Sequence, residues 1–416
     1  MIIAATAVVS TAAPEQFNYE EAGIPPYTLP DPLVCMDGSR VTTSAEWNDK
    51  RRGELFRQIE QEMFGKAPAR PALVFHVDED WTPALDGKVK RKQVSISLNG
   101  KADGPAMDML LYVPAAATGP VPVVFGLNFQ GNQGVSKDPG IRLCRSWLRN
   151  DKKDNIENNK ASEASRGCEE GRWQIEFAAS RGYGVVTVCY CDIDPDFHDE
   201  WKNGVHALYP EVEAHRDGGT WGSIAAWAWG MSLGMDYLEK DAAVDAKRVV
   251  AQGHSRLGKT ALWAGATDTR YAVVISNDSG AGGAALNKRI FGETVGRLNS
   301  SFPHWFCGNF KKYSNKEQDL PFDSHQIIAL IAPRPVLITS ATEDKWADPR
   351  GEFLGGLNAE PVYRLFGKDG LGAKEQPGPD KLIGGSIGYF FRTGPHDVTR
   401  ADWGAYLDFA DRHLKR

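Results

Sequence analysis

At 416 residues, 42% of them hydrophobic and 25% charged, the chain can bury a large core, and its length suits one layered enzyme fold with insertions. A net charge of −6 and a pI near 5.9 give no electrostatic footing for nucleic acid, and no apolar run reaches the roughly 20 residues of a membrane span. Cysteines at 35, 144, 168, 189, 191 and 307 are too sparse for a disulfide scaffold. No Cys/His cluster has zinc spacing, so neither metal nor cofactor is expected. Cys189 and Cys191 lie two apart in a predicted strand and share a face. Mostly free, buried thiols follow, with room for one disulfide in an exported chain.

Residues 1–13 are short, apolar and end small-x-small, like the rear half of a secretory signal without its basic front, which predicts a secreted or periplasmic protein. The remainder, 14–416, reads as a single catalytic domain. After a proline-rich lead (Pro25, Pro26, Pro30, Pro32), Thr43 or Ser44 caps a predicted helix to about Phe64, with Trp47, Leu55, Ile59 and Met63 as an incomplete apolar stripe. Val89 to Leu98 and Met107 to Val113 alternate like hairpin edge strands. From Val121 the texture changes. Val121 to Leu127, Gly184 to Val188, Arg248 to Ala251, Ala272 to Ile275 and Val336 to Thr339 are continuous apolar runs separated by helical stretches. Doubly covered parallel strands have that composition, so an open α/β sheet between two helix layers is predicted, a three-layer sandwich with surface insertions. Gly131 to Gly171 interrupts it, and Asp151 to Lys160 is too polar to pack. A surface insertion after the first long core strand is expected there, where binding loops sit on such sheets.

The run Val249-Val250-Ala251-Gln252-Gly253-His254-Ser255-Arg256-Leu257-Gly258-Lys259 joins a buried strand to a helix through a Gly-x-Ser turn. Such a turn presents one serine at the N-terminus of a helix, which makes Ser255 the candidate nucleophile. The second glycine comes one residue later than in the common Gly-x-Ser-x-Gly. In an open α/β hydrolase the acid and then the histidine follow the nucleophile in the chain. Of His304, His325, His396 and His413, His396 fits the base, because Thr393-Gly394-Pro395-His396-Asp397 is a loop before the last helix. Two acids compete for the third role: Asp278 follows the next strand and Asp344 the one after, and both strand ends can deliver a carboxylate. Glu343 points the other way in an extended segment. Arg256 can supplement backbone N–H groups at an oxyanion. Lys259, one turn on, places a cation against the helix dipole unless another partner needs the charge. Trp305 and Trp263 read as core.

Six blocks in order carry a resemblance: Gly-x-Ser-Arg-x-Gly-Lys at the elbow, Asp278-Ser279-Gly280-Ala281-Gly282-Gly283, Phe291-Gly292-Glu293, Phe302-Pro303-His304-Trp305-Phe306, Leu320 to Leu337, and Gly394-Pro395-His396. From about Val121 onward the chain resembles the glucuronoyl esterases of carbohydrate esterase family 15, bacterial type, including the shifted glycine. The resemblance implies an α/β-hydrolase fold and a serine–histidine–acid triad without metal. The implied reaction cleaves esters between 4-O-methyl-glucuronic acid side chains of xylan and lignin alcohols. It assigns Ser255 as nucleophile and His396 as base, and gives Glu293 and Trp346 to the uronate, whose hydroxyls would also use the Lys259 charge. Asp278 stands where the family usually has glutamate, while Asp344-Lys345-Trp346 matches an Asp-x-Trp of bacterial members. Fungal members carry a disulfide-bonded cysteine before the nucleophile, where this chain has His254. The expected partner is thus a glucuronoxylan or lignin-carbohydrate ester, met by a monomer. An acetyl-xylan esterase or general carboxylesterase is the alternative, and a non-catalytic carbohydrate-binding protein a third.

Overall fold

A computed structural model describes residues 17–415, so the signal-like residues 1–13 lie outside the described residues. Ten strands form one sheet: β1 (Phe75–Ala84), β2 (Val89–Ser97), β3 (Ala106–Pro114), β4 (Val121–Asn128), β5 (Gly184–Cys189), β6 (Val244–His254), β7 (Val273–Asn277), β8 (Val336–Ala341), β9 (Leu382–Gly384) and β10 (Ile387–Arg392). Their order is β1-β2-β3-β5-β4-β6-β7-β8-β10-β9, and the pairs from β5 through β10 are parallel. Helices α1 (Ile175–Ser180), α2 (Ser223–Leu238), α3 (Arg256–Thr267), α4 (Ser324–Ala329), α5 (Pro349–Leu365) and α6 (Arg400–Leu414) cover it.

The apolar runs are buried on both faces because successive side chains point opposite ways. Val123, Phe125, Val249 and Ala251 join one core with Trp227 of α2, Leu262 of α3, Ile327 of α4 and Val362 of α5. Val124 and Val250 join the other, with Ile175 of α1 and Trp403, Tyr406 and Phe409 of α6. This is the three-layer α/β-hydrolase arrangement expected from the sequence.

Two expectations are corrected. β2 and β3 are not at the edge, because β1 pairs outside β2 and β3 pairs onward to β5. β1 was illegible because Asp78, Glu79, Asp80 and Pro83 break any strand pattern. An edge strand tolerates them, since its outer groups face water. Asp151 to Lys160 also packs more than its polarity suggested: backbone bridges join Asp151 to Ile156 and Glu157 to Lys160, and Ile156 is buried in the core.

The predicted first helix is present and capped by Thr43 and Glu46, each side chain accepting from the other's backbone N–H. Its segment, 44–64, contains wide turns at Trp47–Arg51 and Glu60–Phe64. The gap in its apolar stripe is filled by Arg51, buried with Nε donating to Pro32 O at 3.0 Å. Positions 47, 51, 55, 59 and 63 then share one buried face. A strict four-residue repeat drifts about 40° per step in an α-helix, and the wide turns take up that drift.

Candidate active site

Every candidate for the triad falls at the C-terminal end of a parallel strand, Ser255 after β6, Asp278 after β7, Asp344 after β8 and His396 after β10, and Arg256 opens α3. Ser255 has φ 57° and ψ −127°, a conformation a side chain avoids unless its surroundings enforce it. They do. Its N–H donates to Asn277 O at 2.8 Å, and its carbonyl accepts from Gly258 and Lys259 N–H at 2.9 and 3.3 Å. A Cβ on Gly253 would lie 1.8 Å from Leu257 O, and one on Gly258 3.0 Å from both Asn277 O and Ser279 Cβ. The second glycine is displaced because residue 258 is where α3 leaves against β7, while Leu257 turns into the core. At the start of α3, N–H groups without helical partners open toward the serine.

His396 Nδ1–H donates to Asp344 Oδ2 at 2.5 Å; the ring is partly exposed and the carboxylate buried. Asp344 is held by the turn that follows it, accepting from Ala347 N–H at 3.3 Å. Three bonds tie its loop to that of His396: Thr342 N–H to Arg392 O, Glu343 N–H to Gly394 O, and Gly394 N–H to Thr342 Oγ1, at 2.9, 3.0 and 3.0 Å. The sequence left the acid open between Asp278 and Asp344. In the structure Asp344 bonds the imidazole, whereas Asp278 stops short: its oxygens have no hydrogen-bond partner, although ligand atoms of Asp278, Asp344 and His396 lie within 4.8 Å of one another. The reason is backbone direction. Asp278 takes φ 44° with its N–H bonded to Thr339 O, and its shorter side chain stays in the interior. Burial, then Glu352, Asp344 and Asp402, push its carboxyl well above the usual range.

Arg256 pairs with Asp196 and lies over the Trp305 ring at 4.9 Å. Asp196 is fully buried and also bonds Trp305 Nε1 at 2.7 Å, His304 Nε2 at 2.9 Å and Tyr190 Oη at 3.1 Å. Burial opposes its charge, but Arg256 and the His304 and Trp305 hydrogen bonds overcome that and hold the carboxyl well below its ordinary value. Trp305, expected in the core, is indeed buried, yet it also floors the guanidinium and stacks on Phe302 with centroids 3.8 Å apart. Trp263 packs against Phe64 and Phe56, as expected of core. Lys259 does not stand free: its Nζ donates to Ser279 O at 2.6 Å and Glu293 Oε2 at 2.8 Å, and both side chains are nearly closed to solvent. The pair explains the cation in the first helical turn. Trp346 is half-buried with its ring edge-on to Phe17 at 4.9 Å, and its carbonyl accepts Glu293 N–H at 2.9 Å, so the three residues expected at the uronate form one group.

A cavity of about 590 Å³ opens on Ser255, Arg256, His254 and His396. Its far wall is the insertion 131–171, through Arg149, Asp151, Lys153, Asp154, Cys168 and Glu169. The His254 ring lies 4.4 Å from that of His396. Burial, then the His396 charge, push it well below its ordinary value, so a neutral imidazole bonded to Asn277 lies beside the candidate base. Sequence reasoning missed Asp196; its only signal was the acid-rich run Asp192-Ile193-Asp194-Pro195-Asp196 after a core strand. All six cysteines are free. Cys144, Cys189 and Asp192 bring ligand atoms within 4.8 Å, but both thiols are pushed up, Cys144 first by its hydrogen bond with Cys189 and Cys189 by burial, and hold their protons.

The chain is similar to known proteins over nearly its whole length. A carbohydrate esterase from an unknown prokaryotic organism is 55% identical over 97% of this chain and 93% of its own. A family 15 carbohydrate esterase from a marine bacterial metagenome, described as promiscuous, superposes with a TM-score of 0.91 at 55% identity, covering 96% of this chain and all of that one. The chain belongs to carbohydrate esterase family 15. It is a carboxylic ester hydrolase. A family model described as glucuronyl esterase of fungi matches residues 185–367. A glucuronoyl esterase from Solibacter usitatus superposes with a TM-score of 0.89 at 48% identity, covering 94% and 100% of the two chains. More distant is the 4-O-methyl-glucuronoyl methylesterase 1 of Wolfiporia cocos, 26% identical over 82% of this family 15 chain and 72% of its own.

Proposed function

We propose that the chain is a serine esterase cleaving esters between 4-O-methyl-glucuronic acid side chains of xylan and lignin alcohols, through a covalent acyl-enzyme. What carries the reading is the pairing of a strained Ser255 with the His396–Asp344 couple on one cavity. The names of the relatives, glucuronoyl esterases and methylesterases, support the choice of acid. Ser255 Oγ attacks the ester carbonyl while its proton passes to His396, and Asp344 fixes the tautomer and stabilises the imidazolium. The oxyanion is met by N–H groups opening α3 and by Arg256, whose aim Asp196 and Trp305 set. As the carbon–oxygen bond to the alcohol breaks, His396 returns its proton to the departing oxygen. Water then attacks the acyl group and gives a proton to His396, which passes it to Ser255 Oγ as the acyl–oxygen bond breaks and the acid leaves. Lys259, with one N–H left over from its two bonds, and Glu293, with its second oxygen, offer a preset pair to sugar hydroxyls. Trp346 offers a ring face beside them. A polymer substrate of this kind fits a secreted or periplasmic enzyme.

Hydrolysis of methyl glucuronate measured beside 4-nitrophenyl acetate tests the reading, with Ser255→Ala as control. A kcat/KM favouring the glucuronate ester is expected. Preference for the acetate would move the assignment to the second reading, a general carboxylesterase, which the relative described as promiscuous favours. Loss of neither activity in Ser255→Ala would remove the mechanism.

A further inference from the structure

The segment carrying His396 has no regular structure of its own: residues 393–399 run from the end of β10 to the start of α6. A loop of this kind holds an imidazole in place only if its backbone is fastened from below. Arg392, the last residue of β10, is buried and aims its side chain into the loop. Its Nη1 donates to Thr393 O at 3.0 Å, and its Nη2 donates to Pro395 O at 2.6 Å and Asp397 O at 3.0 Å. One guanidinium thereby holds the carbonyls immediately before and after His396. Its Nε lies 2.7 Å from Asp402 Oδ2, and Asp402, fully buried in the first turn of α6, also accepts from Thr399 N–H and Oγ1 at 2.7 and 2.8 Å. The Arg392–Asp402 pair thus fastens both ends of the loop to elements that belong to the sheet and its covering layer.

The same pair reaches the nucleophile. Asn277 Nδ2 donates to Asp402 Oδ1 at 3.4 Å and to Thr339 Oγ1 at 2.7 Å, while its Oδ1 bonds His254, the neighbour of Ser255, and its carbonyl accepts Ser255 N–H at 2.8 Å. Only backbone and buried side chains lie on this path.

We infer that Arg392 is a positioning residue of the esterase, setting where His396 stands relative to Ser255 through the carbonyls of Thr393, Pro395 and Asp397. A lysine cannot replace it, because an ammonium on a flexible stem does not span three carbonyls and a carboxylate at once. The inference needs only a Ser255–His396 esterase and is independent of which acid the enzyme prefers.

The test compares Arg392→Gln and Arg392→Lys with wild type on methyl glucuronate and 4-nitrophenyl acetate. It adds the rate at which a fluorophosphonate labels Ser255, a reaction that needs the base and no particular substrate. A positioning role gives kcat lower by about 10- to 100-fold on any ester the wild type turns over, KM within about twofold, and labelling slowed in proportion. Far-UV circular dichroism and a cooperative melt confirm the fold. Should Arg392→Gln fail to accumulate as folded protein, Arg392→Lys, which keeps a cation opposite Asp402, carries the test. Folded variants with wild-type kcat and labelling but a lowered Tm would overturn the inference and leave Arg392 a stabilising residue only. Full recovery of kcat by lysine would overturn it too, since it would show that charge and not the fork matters.

Discussion

Ser255 and His396 do one job between them, and their variants should show it. Ser255→Ala and His396→Ala are each expected to lower kcat by several orders of magnitude with the melt unchanged, and the double variant to lose little more. The acids should separate. Asp344 bonds the imidazole at 2.5 Å, so Asp344→Asn is expected to cost roughly 10²- to 10⁴-fold in kcat, since an amide stabilises the wrong tautomer. Asp278 is buried with no hydrogen-bond partner, and burial pushes its carboxyl well above the usual range, so an amide of the same shape should change kcat by less than about threefold. A double-mutant cycle in kcat checks both. Strong coupling between the two aspartates would show that the carboxylates share the histidine after all.

Among the elements, the insertion and the loop after β7 depend on single buried side chains. Gln133, fully buried, donates to Gln130 O at 2.6 Å and Ser165 Oγ at 3.2 Å and accepts Cys144 N–H at 3.0 Å, so it staples the insertion from inside. Gln133→Ala strands these groups at a cost of about 1–3 kcal/mol. Faster proteolysis or amide exchange within 144–168 is expected, with KM raised for esters of bulky alcohols and 4-nitrophenyl acetate hydrolysis unchanged. Equal loss on both esters would show instead that the staple reaches the triad. Glu352 of α5 plays the matching part beneath β7, accepting Ser279 N–H at 2.7 Å and Gly280 N–H at 3.1 Å through Oε1, with Ser340 Oγ 2.5 Å from Oε2. Glutamine can keep these bonds, accepting through its oxygen and donating to Ser340.

For the whole molecule, the buried acids predict how stability varies with pH. Burial is the largest cause in each case: it pushes Glu352 up to about 8 and Asp192 and Asp194 up to about 6. The folded chain therefore keeps protons that the unfolded chain releases near pH 4. This contribution is complete below the unfolded values and is lost as pH rises through about 6 and then about 8. Glu213 acts oppositely: burial opposes its charge, but His206 and Arg216 hold it down to about 2, so its share is present above pH 4 and lost only in strong acid. Tm is expected to fall between pH 5 and 8.5, and Glu352→Gln to flatten the fall by raising Tm at the alkaline end. Melts of both proteins across that range decide it, and an unchanged slope in the variant would remove Glu352 as the source.

The parallel core, the elbow serine and the loop histidine were legible in the sequence, because each rests on a local rule. A run such as Val121 to Leu127 is apolar at every position because both faces are covered, and Gly253 and Gly258 stand where a Cβ would strike backbone. Chain order then places a histidine after the last strand. The edge strand β1 was hidden because water, not packing, satisfies its outer side. What only the tertiary structure decided are contacts between strand ends far apart in the chain: Asp344 rather than Asp278 on His396, Asp196 under Arg256, Lys259 against Glu293, and Arg392 beneath the histidine loop. No spacing encodes those. Hydrogen bonds a few ångströms long depend on how adjacent strands end and turn, and only the assembled sheet sets that.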